Sequence, residues 1–187
     1  MVNGRIFGEM RQRNPEFGPV RPPEEVARAA GLAMNELDPS LPIQTVSTGL
    51  PFTMVPLRRG ETLRNLQQKF NFAAAEPYMK KSGTGFLYFV TRDTATLDGE
   101  AKGARLEARM IFYNGEDPAT GSAAGCCASW MVRHGVTKSD EQAMIAQGLR
   151  IQRPSYLHVR ARLAADKVTD VRVGGHTVEV LRGEVTL

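Results

Sequence analysis

The chain has 187 residues, of which 42% are hydrophobic and 24% are charged, and its 24 Lys and Arg residues outweigh 20 Asp and Glu residues by a net charge of +4. This composition indicates a soluble globular protein of one ordinary domain or two small ones. The basic residues are scattered without any recognition motif, so a solvated surface is favoured over a nucleic-acid interface. With no signal peptide or long apolar segment, we expect a cytoplasmic protein that makes no membrane contact.

Short elements follow one another through the first half of the chain. Prolines at the entry of one helix and acids in its first turn mark its start, and Val26 and Ala30 supply part of its apolar face. The predicted elements are a strand at 5–13, a break at 14–19, a helix from about 22 to Gly31, strands at 43–46 and 52–57, and a second helix at 62–70.

The second half contains more strands. Residues 106–112 alternate in the period-two pattern of a strand, and Gly174-Gly175 has the composition of a tight hairpin turn. The predicted elements are strands at 86–91 and 106–112, a buried helix at 122–132, a short capped helix at 139–147, and strands at 156–163, 168–173 and 177–181. Many short strands around one buried helix predict a single α+β domain.

The helix at 122–132 is apolar or small at nearly every position. A helix without a polar stripe is a buried helix, and this one is far too short to span a membrane. His134-Gly135 supplies a suitable end, because glycine adopts the left-handed cap conformation easily.

The start of this helix is the candidate site. Backbone N–H groups in the first turn lack intrahelical partners, and Thr120, Gly121 and Ser122 leave room there for a carboxylate or a phosphate. Asp117 lies just before them, placed to exchange a proton with a bound molecule. In the alternative interpretation, Asp117 is only the N-cap and Pro118 the first helical residue.

The run Glu-Asp-Pro-Ala-Thr-Gly-Ser-Ala at 116–123 resembles the signature of the phenazine-biosynthesis isomerase family, which is related to diaminopimelate epimerase. Other segments resemble family motifs in the same order, with Gln152 standing where glycine is usual. These segments are Ser-Thr-Gly-Leu-Pro at 47–51, Gln147-Gly148, Arg153-Pro154-Ser155 and Val-Arg-Val-Gly-Gly at 171–175. The resemblance runs from about Phe17 to the C-terminus.

The resemblance implies a fold and its limits. The family has two similar lobes with the active site between them, each a mixed β-sheet rolled into a barrel around a buried central helix. This chain resembles the second lobe alone, so residues 1–187 are expected to form one α+β lobe, with 1–16 as a candidate residual strand of the first. The first lobe carries an essential glutamate and a Gly-His pair. Gly175-His176 only mimics that pair, and we expect His176 on the surface.

Three explanations of the missing half stay open: a separate chain supplies the first lobe, two copies of this lobe form a homodimer, or the chain folds without catalysing. The homodimer is preferred, because a lobe without its partner exposes an apolar face that a self-complementary interface would bury. Two functions follow. One is cofactor-independent proton transfer on a small carboxylate-bearing metabolite, with Asp117 as acid or base and Thr120, Gly121 and Ser122 binding the substrate. The other is an inactive lobe that binds a small anion or mediates oligomerisation.

Other chemistries are less well supported. Cys126 and Cys127 lie inside the apolar helix, where cysteines usually serve as packing residues. No metal-binding motif, phosphate loop or dinucleotide fingerprint is present, so neither a metal nor a cofactor is expected. Ser122 lacks the spacing of a hydrolase nucleophile. Arg109 and Arg153 are candidates for assisting an anion, against the commoner role of pairing with acids.

Overall fold

The computed structural model describes residues 6–113, 115–184 and 186, which contain ten strands and four α-helices. The strands are β1 (Ile6–Arg11), β2 (Glu16–Val20), β3 (Gln44–Ser47), β4 (Pro51–Leu57), β5 (Phe86–Thr91), β6 (Leu106–Phe112), β7 (Gly115–Asp117), β8 (Ala143–Gln147), β9 (Ser155–Ala164) and β10 (Lys167–Thr177). The helices are α1 (Pro23–Ala30), α2 (Gly60–Arg64), α3 (Phe72–Ser82) and α4 (Gly121–Arg133).

All ten strands belong to one mixed sheet. Its order is β1-β10-β9-β8-β6-β5-β4-β3-β2, and β7 pairs with β6 off this path. The β4–β5 and β6–β8 pairs are parallel and the others antiparallel. The sheet curls into a half-barrel, since α4 packs against β3 and β4 on one side and against β9 and β10 on the other.

Helix α4 carries the apolar run that the sequence singles out. Every residue from Ala123 to Val132 is buried, and the Trp130 indole N–H donates to the Pro42 carbonyl at 3.0 Å. Gly135, with a φ of 71°, follows the helix in the left-handed conformation as expected. Burial on all faces accounts for the absence of a polar stripe.

A second apolar core lies on the other face of the sheet. There α1, α2 and α3 contribute buried side chains that pack with residues of β4 and β5. Strand β6 serves both cores. Leu106, Ala108 and Met110 belong to the α4 cluster, while Ile111 belongs to the second. Because both faces of β6 are covered, its alternating pattern does not separate a buried face from an exposed one.

Several local expectations are wrong. Residues 16–20 pair with β3 as an edge strand, where Pro19 is tolerated because its missing N–H is not needed for the ladder. The second helix is interrupted after Arg64. Helix α3 was not predicted, and the proline inside it, Pro77, is unfavourable in a helix. The side chain of Asn71 caps its start by accepting the Ala74 N–H at 3.1 Å.

Three further expectations fail in the second half of the chain. Residues 143–147 form β8 instead of a helix, because the slot between β6 and β9 supplies backbone partners on both sides. Gly174 and Gly175 lie inside the continuous strand β10, and the turn from β9 falls at Ala165 and Asp166, which both have positive φ. Strand β10 ends at Thr177, so the strand expected at 177–181 does not form. A Cβ on Gly174 would lie 2.9 Å from the Gly8 carbonyl oxygen, so this glycine permits the close approach of β1.

None of the helices in the described part of the chain combines the length and the apolar character needed to cross a membrane.

Candidate functional site

Asp117 ends the short strand β7, which folds back on β6. Its carboxylate accepts the Ala119 backbone N–H at 3.2 Å and the Thr120 hydroxyl at 2.8 Å. Helix α4 begins at Gly121, with Thr120 in the capping position. Asp117 is therefore not the N-cap of this helix, and the alternative interpretation of the Asp-Pro pair is wrong.

The first turn of α4 is open. The first backbone N–H with an intrahelical partner belongs to Ala124, which donates to the Thr120 carbonyl at 2.9 Å. The N–H groups of Gly121, Ser122 and Ala123 have no acceptor among the described residues. Ser122 is exposed, and a Cβ placed on Gly121 would meet nothing within 4 Å. The turn thus offers free donors and space to a negatively charged group.

A buried amide holds the turn between Asp117 and Thr120 in place. Gln147, at the end of β8, is fully buried, and its Nε2 donates to the Asp117 carbonyl at 2.7 Å and to Thr120 Oγ1 at 2.9 Å. Its Oε1 accepts the Tyr88 hydroxyl at 2.8 Å and the Thr120 N–H at 3.4 Å. Burial raises the pKa of Tyr88 well above its usual value, so the phenol stays protonated and donates.

The two candidate arginines have different surroundings. Arg109 is buried and pairs with Glu116, with Nε 3.0 Å from Glu116 Oε1, and it also donates to the Leu63 carbonyl at 2.8 Å. It therefore stabilises the fold beneath the β6–β7 hairpin instead of binding a ligand. Arg153 is exposed, and its side chain has no acidic partner within the described residues.

The turn that carries Arg153 packs against the candidate site. A Cβ on Gly148 would lie 2.1 Å from the Arg153 carbonyl oxygen and 2.8 Å from that of Pro118. Gly148 has a φ of 76°, so glycine is required both by conformation and by space. This close packing brings the backbone of Arg153 near the Asp117–Thr120 turn.

A hollow of about 920 Å³ begins beside the candidate site. Ala119 lines it on one side, and the strands β1, β9 and β10 form most of the rest of its wall, including Tyr156, Gly174 and His176. Asp117, Thr120, Gly121 and Ser122 do not line this hollow, so Ala119 alone connects the two features. His176 is exposed, as predicted, and its ring contacts Phe7 edge to face.

The two cysteines are buried and unpaired in the middle of α4. Burial raises the pKa of both thiols, which keeps them protonated and unreactive. Their packing role is as predicted.

Sequence reasoning did not find all the residues of this site. The resemblance includes Gln147, but without a role, and nothing in the sequence connects it to Tyr88. A buried glutamine with four hydrogen bonds has no local signature. Its partners come from strands that are distant along the chain.

Several solved structures share the fold of this chain. A protein of Pseudomonas aeruginosa described as a predicted epimerase superposes with a TM-score of 0.71 at 32% identity, covering 92% of this chain and 56% of that one. A Bacillus anthracis phenazine biosynthesis protein of the PhzF family reaches 0.72 at 22% identity over 94% of this chain and 59% of its own. A probable proline racemase of Agrobacterium radiobacter reaches 0.56 at 11% identity, covering 91% of this chain and 50% of that one, which shows the shared fold alone.

The chain belongs to the family described as phenazine biosynthesis-like protein, whose sequence profile matches residues 3–183. An uncharacterized isomerase of Clostridium acetobutylicum is 27% identical over 184 residues, which cover 95% of this chain and 60% of that protein. A trans-2,3-dihydro-3-hydroxyanthranilate isomerase of Pseudomonas chlororaphis is 46% identical over 72 residues, or 38% of this chain and 26% of that enzyme. The chain thus spans 60% or less of the length of these two relatives.

Proposed function

We propose that this protein carries half of an isomerase active site, which transfers a proton on a small carboxylate-bearing metabolite without a cofactor. The observation that carries the proposal is the open first turn of α4 next to the Asp117 carboxylate. Membership of an isomerase family supports the reaction class.

In this proposal the substrate carboxylate accepts hydrogen bonds from the free N–H groups of Gly121 and Ser122. The partial positive charge of the helix N-terminus favours the anion there. Asp117 takes a proton from a carbon atom of the substrate or returns one to it, which requires hydrogen-bond reach and the correct protonation state. The Thr120 hydroxyl donates a hydrogen bond to Asp117 and thereby orients the carboxylate.

Isomerisation also needs a second group that completes the proton transfer. We propose that the chain is one lobe of a two-lobed arrangement, with α4 as its central helix, and that the second group comes from another lobe. A second copy related by a twofold axis is the preferred source, and a separate first-lobe chain is the other. Exposed apolar side chains near the β1 edge and after β10 support an interface, namely Ile6, Met10, Val178, Val180 and Leu181.

The second candidate function is an inactive lobe that binds a small anion. It is favoured by one observation, that Asp117 does not line the hollow beside the site. Both candidates use the same donors of α4, so binding of an anion does not distinguish them. The role of Asp117 does.

The test is exchange of substrate hydrogen with deuterated water. Small carboxylates that carry an acidic C–H bond are incubated with the protein in D₂O, and deuterium incorporation is followed by ¹H NMR. We expect Asp117→Asn to slow exchange by about 10²- to 10⁴-fold, the usual contribution of a general acid or base. The matched control is Asp166→Asn in the β9–β10 turn. The backbone carbonyl of Asp166 accepts a hydrogen bond from Arg133 at the end of α4, and the substitution leaves this carbonyl in place. This variant should exchange like the wild type.

Inorganic phosphate serves as the probe of binding, through amide chemical shifts of Gly121 and Ser122. The catalytic proposal fails if the wild type binds phosphate but exchanges no deuterium, and if the Asp117→Asn variant binds phosphate with the same affinity. That result supports the anion-binding lobe.

A further inference from the structure

We infer that Gln147 is a positioning residue that fixes the direction of the Thr120 hydroxyl and, through it, the orientation of the Asp117 carboxylate. The inference rests on the proposed role of Asp117 as acid or base. Gln147 does not contact the space in front of Gly121, and it acts through Thr120.

The orientation of the Gln147 amide is determined by its four partners. Nε2 faces the Asp117 carbonyl and Thr120 Oγ1, while Oε1 faces the Tyr88 hydroxyl and the Thr120 N–H. Exchanging the two amide atoms would set the oxygen against the Asp117 carbonyl and the nitrogen against the Thr120 N–H. Two acceptors and two donors would then oppose each other, so only one orientation satisfies the buried groups.

This orientation leaves the Thr120 hydroxyl one choice. An amide nitrogen only donates, so Oγ1 accepts from Gln147 at 2.9 Å, and its single proton is directed to Asp117 Oδ2 at 2.8 Å. The chain of donors therefore runs from Gln147 through Thr120 to Asp117. This hydrogen bond holds Asp117 Oδ2 in one position. Without the amide, the hydroxyl is free to rotate and the carboxylate loses this constraint.

The strength of the arrangement comes from burial. Tyr88 and Gln147 are both 0% exposed and Thr120 is 5% exposed, so water does not replace a lost partner readily. Gln147 also lies at the point where β8 meets the Asp117 turn, so one side chain ties the strand to both the backbone and the side chain of the site.

The experiment measures how fast the Thr120 hydroxyl proton exchanges with water, by ¹H NMR of the full chain. We expect Gln147→Met, which keeps the volume and removes the amide, to speed this exchange by about tenfold or more, because the hydroxyl is no longer held against Asp117. The matched control is Tyr88→Phe. It removes a hydrogen bond to the same glutamine but leaves the path from Gln147 through Thr120 intact, so the exchange rate should stay within about twofold of the wild type.

A purely structural role would lower the stability of both variants and change the hydroxyl exchange rate equally in both, and that outcome overturns the inference. If Gln147→Met does not fold, Thr120→Ser replaces it. The serine hydroxyl lacks the restriction of the threonine methyl group, so only the hydrogen bonds to Gln147 and Asp117 hold it, and its exchange should stay slow. Fast exchange in Thr120→Ser also overturns the inference. Because the readout is hydroxyl exchange and not turnover, failure of the proposed function appears separately, as undiminished deuterium incorporation in Asp117→Asn.

Discussion

Two glutamates on adjacent strands show how differently a buried carboxylate can be satisfied. Glu116 is fully paired with Arg109. Glu107, on β6, receives Arg150 at Oε1 only, with Nε at 3.1 Å, while its buried Oε2 has no hydrogen-bond partner among the described residues. Burial raises the pKa of Glu107, and the Arg150 charge offsets part of that effect.

This raised pKa gives stability a definite pH dependence. The folded state binds the Glu107 proton more tightly than the unfolded state does. The contribution of this proton to the free energy of unfolding is therefore fully present below the pKa of the unfolded state, near 4.5, and is lost as pH rises through the pKa of the folded state. Glu107→Gln carries no such proton. We expect the free energy of unfolding of this variant, measured in urea titrations, to rise relative to that of the wild type as pH increases from about 4 to 7. A difference that stays constant over this range would contradict the assignment.

At the scale of elements, glycine decides how the first strand joins the sheet. Strand β1 pairs with β10 from Ile6 to Arg11, and the side chain of Gln12 then reaches helix α4. Its Nε2 donates to the Gly121 carbonyl at 2.9 Å and its Oε1 accepts the Thr48 hydroxyl at 2.6 Å. A Cβ on Gly125 would lie 1.9 Å from Gln12 Oε1, so a larger residue there would displace the Gln12 amide.

The glycine pair in β10 provides a test of this packing. A Cβ on Gly174 would lie 2.7 Å from the Phe7 ring and 2.9 Å from the Gly8 oxygen, whereas one on Gly175 would meet only the Tyr156 oxygen at 3.7 Å. We expect Gly174→Ala to lower the free energy of unfolding by about 1–3 kcal/mol, the usual cost of overpacking. The control, Gly175→Ala, should change it by less than about 0.5 kcal/mol. Equal urea midpoints for the two variants would refute the close approach of β1.

At the scale of the molecule, the half-barrel leaves apolar side chains uncovered where β10 ends. Val180 and Leu181 are 89% and 87% exposed, and they follow a strand whose neighbour β1 forms one edge of the sheet. Exposed apolar groups at a strand edge commonly mark a protein interface. The proposed second copy would cover them.

Sedimentation velocity tests this assembly. We expect the wild type to sediment as a dimer at micromolar concentrations and Val180→Lys to shift the equilibrium at least tenfold toward the monomer, because a lysine ammonium is costly to bury. Met34→Lys, at an exposed site in the connection between α1 and β3, is the control and should remain dimeric. A wild type that sediments as a monomer would argue against the homodimer.

Local patterns in the sequence were sufficient for part of the fold. The apolar run of α4, the strands β5 and β6, and the cap of α1 depend on neighbours within a few residues, and their predicted bounds agree closely with the structure. The family resemblance was also carried by a contiguous run, 116–123, and the family profile confirms it. The roles of Asp117, Thr120, Gly121 and Ser122 remain predictions.

The sequence by itself determined the family and the buried character of α4, because a motif and an apolar run are properties of contiguous residues. Only the tertiary structure decided that 143–147 is a strand, that β10 continues through its glycines, and that Gln147 lies beneath Asp117. A short apolar run is compatible with either helix or strand, and partners on other strands make the choice. Buried polar contacts between residues 27 to 59 positions apart leave no local pattern to detect.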